Sequence, residues 1–152
     1  MNYKSLKKQL KALTEDCPYL TANLSNTAAL LWQELPEINW AGFYELRGDA
    51  LILGPFQGKP ACIRIPVGKG VCGTAVRKNK LQRVENVHVF PGHIACDGAS
   101  NSEIVIPLKK ENEIWGVLDI DSPTAGRFTV ADEEGLQEIC QVIEAFLTAG
   151  EG

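Results

Sequence analysis

Three of the five cysteines, Cys62, Cys72 and Cys96, stand in the middle third of the chain among glycines, prolines and polar residues. Thiols in such surroundings stay accessible, and accessible thiols in a reducing compartment point to nucleophilic or redox chemistry. The run from Pro91 to Glu103 adds to this, because it holds a thiol (Cys96), an imidazole (His93) and two acids (Asp97 and Glu103) within thirteen residues. The other two cysteines read differently. Cys140 lies on the apolar stripe of a C-terminal helix and Cys17 precedes Pro18 at a helix end, so both fit as small structural hydrophobes. An odd cysteine count suits free thiols in the cytoplasm better than a closed disulfide framework.

A second constellation is acidic. In the run Trp115 to Asp121 strand alternation puts Asp119 and Asp121 on one face and Leu118 and Ile120 on the other. If the hairpin joining this strand to the run Glu103–Leu108 is symmetric about residues 109–113, Glu103 falls opposite Asp119 and three acids share one patch. Like charges that close raise one another's pKa, so at least one acid stays protonated near neutral pH. Trp40 and Tyr44, four residues apart on a strand with Gly42 between them, form two aromatic walls with a gap. With the acids, that slot suits a small cationic or amphipathic ligand. The plainer alternatives are a solvated sheet face for the acids and core packing for the aromatics.

Two further motifs carry less. Gly68 to Gly73 matches G-x-G-x-x-G between a strand and a helix, but the strands before it form hairpins rather than βαβ crossovers, so its glycines read as a strand-to-helix turn. His88, His93, Cys96 and Asp97 are metal-ligand types, yet all come from one irregular loop without a C-x-x-C pair or an H-x-x-x-H helix. No metal is expected.

The elements that must position these residues follow from periodicity. Leu6, Leu10 and Leu13 mark a helix over residues 3–15, and Leu24, Ala28, Leu31 and Leu35 mark a second, with Asn23 able to cap it and Pro36 beyond its end. The period then changes to two. Residues 40–46 and 50–53 flank Arg47-Gly48-Asp49 as a hairpin, and residues 61–65 make a third strand. A short helix spans Gly70 to Lys80, and residues 84–101 form a long loop of the kind that carries function. Residues 103–108 and 114–120 pair as an antiparallel hairpin, and a last helix follows Thr129, with Leu136, Ile139, Cys140, Ile143, Phe146 and Leu147 on one stripe. This predicts a single α+β domain over residues 1–152, with an antiparallel sheet of about six strands and the N- and C-terminal helices packed on one face.

A formal charge of −4, with no basic run longer than Lys7-Lys8, argues against nucleic-acid or membrane surfaces. The N-terminus has no secretory pattern and nowhere is there an apolar run of about eighteen residues, so a soluble, cytoplasmic protein is expected. Small molecules and proteins are the expected partners.

The segments Asn39–Tyr44, Ala61–Pro66, Gly70–Ala75, His93–Asp97 with Ser102-Glu103, and Gly116–Ser122 together resemble GAF domains, and specifically the free methionine-(R)-sulfoxide reductases, which are single-domain GAF enzymes. The resemblance runs from about Trp40 to Ile143. It implies that Cys96 is the nucleophile, that Cys62 forms a disulfide with it, and that Cys72 is auxiliary. Glu103, Asp119 and Asp121 would bind substrate, with Asp121 or Glu103 also donating a proton, and Trp40 and Tyr44 would wall the pocket. It further implies thioredoxin as an external dithiol reductant, no bound cofactor, and a homodimer. The alternative is a GAF module that binds or senses a small molecule or redox state without turnover. Such a module normally needs an output domain, for which 152 residues leave no room.

Overall fold

A computed structural model describes residues 1–93 and 98–150. The elements run α1 (Tyr3–Thr14), α2 (Leu20–Glu34), β1 (Trp40–Arg47), β2 (Ala50–Gly58), β3 (Arg64–Pro66), α3 (Gly70–Lys78), β4 (Gln82–Val84), a 3₁₀ turn (Val87–Val89), β5 (Ser102–Lys110), β6 (Glu113–Ser122) and α4 (Val130–Ala149). The six strands form one antiparallel sheet in the order β3-β2-β1-β6-β5-β4, with β1 and β6 at its centre. Among the described residues no helix is long and apolar enough to cross a membrane.

Alternation along the central strands creates two unlike faces. Ala41, Phe43, Ile104, Ile106, Leu118 and Ile120 face α1, α2 and α4 and build the larger core with the stripes of those helices. Trp40, Tyr44, Val105 and Val117 face the other way and pack beneath α3 against Val71, Cys72, Ala75 and Val76. The terminal helices thus share one face as expected, while α3 alone covers the other, and the acids lie on its side.

The helix stripes follow the period, with local differences. On α1, Leu6 and Leu10 are buried but Leu13 is exposed. Thr14 takes the inward place there, its hydroxyl donating to the Leu10 carbonyl at 2.9 Å. Asn23 does not cap α2, which begins three residues earlier. It is buried in the first turn, where its side-chain amide donates to the Cys17 carbonyl at 2.9 Å and ties down the connection from α1. The third strand is shorter than residues 61–65, because the preceding segment is captured by side chains of β1. Trp40 Nε1 donates to the Lys59 carbonyl (3.1 Å) and Tyr44 Oη to that of Cys62 (2.9 Å), which leaves Ile63 75% exposed. Two elements have no periodic signal: β4, which ends where the long loop begins, and the 3₁₀ turn within that loop, capped by Asn86.

The β5–β6 register corrects the symmetric-loop expectation. The turn is only Glu111-Asn112, both at positive φ (54° and 67°), the conformation that tight hairpins use. Lys109 pairs with Ile114 but Leu108 with Gly116, so Trp115 is an extra residue. The short turn moves the pairing by one residue and the bulge by another, so Glu103 lies opposite Asp121 and Val105 opposite Asp119. A shift of two preserves the alternation. The three acids therefore still share a face, with a different partner for each.

Candidate active site

The site is a cleft between the α3 side of the sheet and the first turn of α3. Cross-strand register assembles it: Trp40 lies beside Asp121 and Gly42 beside Asp119 on β1 and β6, and Glu103 comes to Asp121 from β5. Cys72 descends from α3 onto the acids. Trp40, Tyr44, Cys72, His93, Ser100 and the three acids line a cavity of about 50 Å³, which Pro60 and Ala61 close on the β2–β3 side. That is room for a few waters or one compact group.

The strand-to-helix turn that presents Cys72 accounts for the glycine motif. Gly68 and Gly70 have φ of 88° and 61°, and the N–H of Gly70 donates to the Gly92 carbonyl at 3.0 Å. The glycines shape the turn. The gap at Gly42 has also been filled: a Cβ there would lie 2.3 Å from the Phe56 Cβ, and the Phe56 ring stacks on Trp40 with centroids 5.1 Å apart. Trp40 and Tyr44, stacked at 5.8 Å, therefore wall the cleft, but the space over Gly42 is not a ligand slot. Gly54-Pro55 broke the alternation of β2 before Phe56, which is why the sequence did not reveal that residue's part.

Glu103 and Asp119 are 8% and 5% exposed, and among the described lining residues there is no lysine or arginine. Burial, the neighbouring charges of Asp119 and Asp121, and hydrogen bonds with them hold the Glu103 pKa well above the usual carboxylate range, so it keeps its proton. Burial also raises Asp119, but hydrogen bonds from Glu103, Cys72 and Asp121 hold it back, which makes it the better place for the negative charge. The Cys72 thiol donates to Asp119 Oδ2 at 3.3 Å and lies 4.0 Å from Glu103 Oε2. Burial and these carboxylates push its pKa well up, so it is a neutral thiol rather than a nucleophile. Asp119 Oδ1 is buried without a donor. The arrangement can donate a proton from Glu103 and bind a compact cation at Asp119.

His93 lines the cleft with its Nδ1 buried and unpartnered. Burial and the nearby His88 lower its pKa, favouring the neutral ring. The ring of His88 meets it edge-on at 6.1 Å, while His88 Nε2 hydrogen-bonds Asn101 Oδ1 at 2.9 Å. Cys96 and Asp97, the remaining members of that set, lie outside the described residues, as does the expected Cys62–Cys96 pairing. Cys17, Cys72 and Cys140 are free thiols and Cys62 is disulfide-bonded. Cys140 is buried as expected, and Cys62 packs at the edge of the smaller core. Ser100, whose hydroxyl accepts from Asn39 Nδ2 at 3.2 Å, was not singled out by sequence, since an isolated loop serine carries no pattern.

Residues 19–147 match the family model described as GAF domain. The free methionine-R-sulfoxide reductase of Escherichia coli is 59% identical over 145 residues, which cover 95% of this chain and 88% of that protein. The chain belongs to this family. A relative in yeast, the free methionine-R-sulfoxide reductase of Saccharomyces cerevisiae, is 46% identical over 80% of this chain and 72% of its own length. Among solved structures, that of fRMsr of Staphylococcus aureus in its reduced form superposes with a TM-score of 0.93 at 55% identity, covering 96% of this chain and 95% of that one. The enzyme of Neisseria meningitidis, solved in complex with its substrate, reaches the same TM-score at 40% identity over 97% and 89% of the two chains. The resemblance seen in the motifs of residues 39–122 thus extends over nearly the whole chain.

Proposed function

We propose that the chain, as one GAF-like domain over residues 1–152, reduces free L-methionine (R)-sulfoxide to L-methionine in the cytoplasm. As a member of the free methionine-R-sulfoxide reductases it is an oxidoreductase acting on a sulfur group. The observation that carries the reading is the set of the buried Glu103 and Asp119 with the half-buried Asp121, in a cleft whose described lining residues include no lysine or arginine. Such a set lacks a cation, and an amino acid brings one in its α-ammonium group. A peptide would offer no ammonium there, and its flanking chain would collide with a cleft of this size.

In this reading the Cys96 thiolate attacks the sulfoxide sulfur while Glu103, the acid that holds its proton, donates to the departing oxygen. The bond formed between Cys96 Sγ and the substrate sulfur then breaks as the protonated oxygen passes to Cys96, which becomes a sulfenic acid, and the substrate sulfur, reduced by two electrons, leaves as methionine. Cys62 then condenses with Cys96, releasing water and forming a disulfide, which an external dithiol such as thioredoxin reduces by exchange. The hydrogen bonds from Trp40 and Tyr44 to the 59–62 segment hold Cys62 at the edge of the cleft. Asp119 and Asp121 take the ammonium, and the Trp40 and Tyr44 rings take the aliphatic chain. Cys72 acts as a neutral donor to Asp119, and the functional unit is a homodimer.

Incubation of the reduced protein with free methionine (R)-sulfoxide and dithiothreitol tests this directly, methionine being the expected product. Cys96→Ser abolishes release, and Cys62→Ser releases about one methionine per subunit and then stalls with thioredoxin, because only recycling needs the second thiol. Binding of the sulfoxide without turnover in the unaltered protein would establish the sensing module instead.

A further inference from the structure

The part of the acid set nearest α3 has a feature that an ammonium ligand does not require: a thiol stands among the carboxylates. Cys72 Sγ, a Glu103 oxygen and an Asp119 oxygen lie within 4.8 Å of one another. In a tetrahedral zinc site, with zinc–sulfur and zinc–oxygen bonds of roughly 2.3 and 2.1 Å, sulfur and oxygen ligands are about 3.5 Å apart. Here the sulfur-to-oxygen distances are 3.3 Å to Asp119 and 4.0 Å to Glu103, so a small movement of the Glu103 carboxylate completes the three ligands. The second oxygen of Asp119, in a residue 5% exposed, has no donor. Asp119 is among the residues that line the cavity, and a cation held by its carboxylate would satisfy that oxygen. The same cavity leaves a fourth coordination position for water.

We propose that Cys72, Glu103 and Asp119 form a binding site for a thiophilic divalent cation of the zinc class, and that the bound ion occupies the place of the substrate's ammonium and blocks the cleft. The ion displaces the protons of Cys72 and Glu103 to solvent on binding, and the resulting thiolate with two carboxylates favours zinc or cadmium over magnesium or calcium, which take oxygen ligands alone. Binding itself stands on the geometry above. The block rests on the function proposed above, since it needs the ammonium to share Asp119.

Cadmium reports the thiolate bond by its ultraviolet charge-transfer band. The variant Cys62→Ser/Cys96→Ser, reduced, removes the redox pair and is titrated with Cd²⁺. One equivalent is expected to produce the band, and zinc to displace it. Adding Cys72→Ser should abolish the band, and adding Asp119→Asn, which leaves the thiol in place, should weaken binding at least tenfold. A band of unchanged affinity after Cys72→Ser places the metal on Cys17 or Cys140 and overturns the proposal. So does a band seen in the unaltered protein but absent from the double variant, which assigns it to the redox pair, and so does displacement of cadmium by magnesium at similar concentration. Free methionine is expected to compete with the cadmium. A band that methionine leaves unmoved, while Cys72→Ser still removes it, refutes the shared ammonium place and the block but supports the metal site.

Discussion

Asp119 and Asp132 are buried to nearly the same degree, 5% and 7% exposed, in opposite surroundings. Asp132, in the first turn of α4, accepts from the Tyr3 hydroxyl (2.7 Å), Arg127 Nη1 (3.0 Å), and the Thr129 N–H (2.9 Å) and hydroxyl (3.0 Å). Burial alone would raise its pKa, but the Thr129, Tyr3 and Arg127 contacts outweigh that and the result is lowered. Asp119 has other acids and a neutral thiol around it, one oxygen without a donor, and a pKa that burial raises. A carboxylate whose role is to join α1, α4 and the 122–129 loop is satisfied within the chain. One that awaits a ligand is left short of a cation, and the shortage is what the site offers.

The comparison breaks first at Glu103. If the acid set trades stability for chemistry, Glu103→Gln slows the single-turnover sulfoxide step by roughly 10²- to 10⁴-fold with little change in substrate affinity, while the unfolding midpoint stays level or rises, because an amide needs no proton to be buried. A variant that reacts at the wild-type rate would leave the proton to Asp121 or His93. At the other region, Arg127→Met strands the Asp132 charge, in a pair whose side chains are 10% and 9% exposed. It is expected to cost about 3 kcal/mol in denaturant unfolding and to leave the rate of the folded enzyme unchanged. A loss of rate beyond the loss of folded protein would show that the two regions are coupled. A smaller effect is expected from Asp119→Asn, which weakens substrate binding by about 1.5 to 3 kcal/mol. Equilibrium binding of methionine checks it.

How far the sequence reveals this contrast depends on how local the signal is. Alternation over Trp115–Asp121 is a property of one strand, and it placed Asp119 and Asp121 on a common face correctly. The position of Glu103 opposite them depended on a turn and a bulge that a symmetric loop does not anticipate, and it survived only because the two shifts add to an even number. The Asp132 network was not legible. Thr129 and Asp132 have the spacing of a capping box, but the Tyr3 hydroxyl arrives from 129 residues away, and no periodicity encodes such a meeting. The covering of Gly42 by Phe56 was hidden for a related reason, since Gly54-Pro55 interrupts the pattern while the backbone continues as β2. The cysteines, singled out by their polar surroundings, divide on structural grounds. Cys72 is buried and protonated, so that surroundings in sequence did not predict surroundings in space.

The smallest effect expected is on the pH dependence of stability, and its sign separates the two regions. Glu103 has a folded-state pKa raised above 4.5. As the pH rises past 4.5 the unfolded chain releases this proton while the folded chain keeps it, so the unfolded state binds fewer protons and stability falls until the folded pKa is passed. Asp119, raised above 3.8, acts in the same direction. Asp132, lowered below 3.8, acts in the opposite one: its contribution is complete above 3.8 and is lost as the pH falls through its folded pKa. Unfolding midpoints of the reduced protein should therefore decline on the alkaline side, as the pH rises above 4.5, through the acid set, and on the acid side, as it falls below 3.8, through Asp132. Glu103→Gln should flatten the alkaline decline and leave the acid limb alone, and Arg127→Met should shrink the acid loss and leave the alkaline limb alone. If Glu103→Gln leaves the alkaline slope as steep as before, Glu103 is ionised in the folded protein, and the proton for the sulfoxide oxygen must be held elsewhere in the cleft.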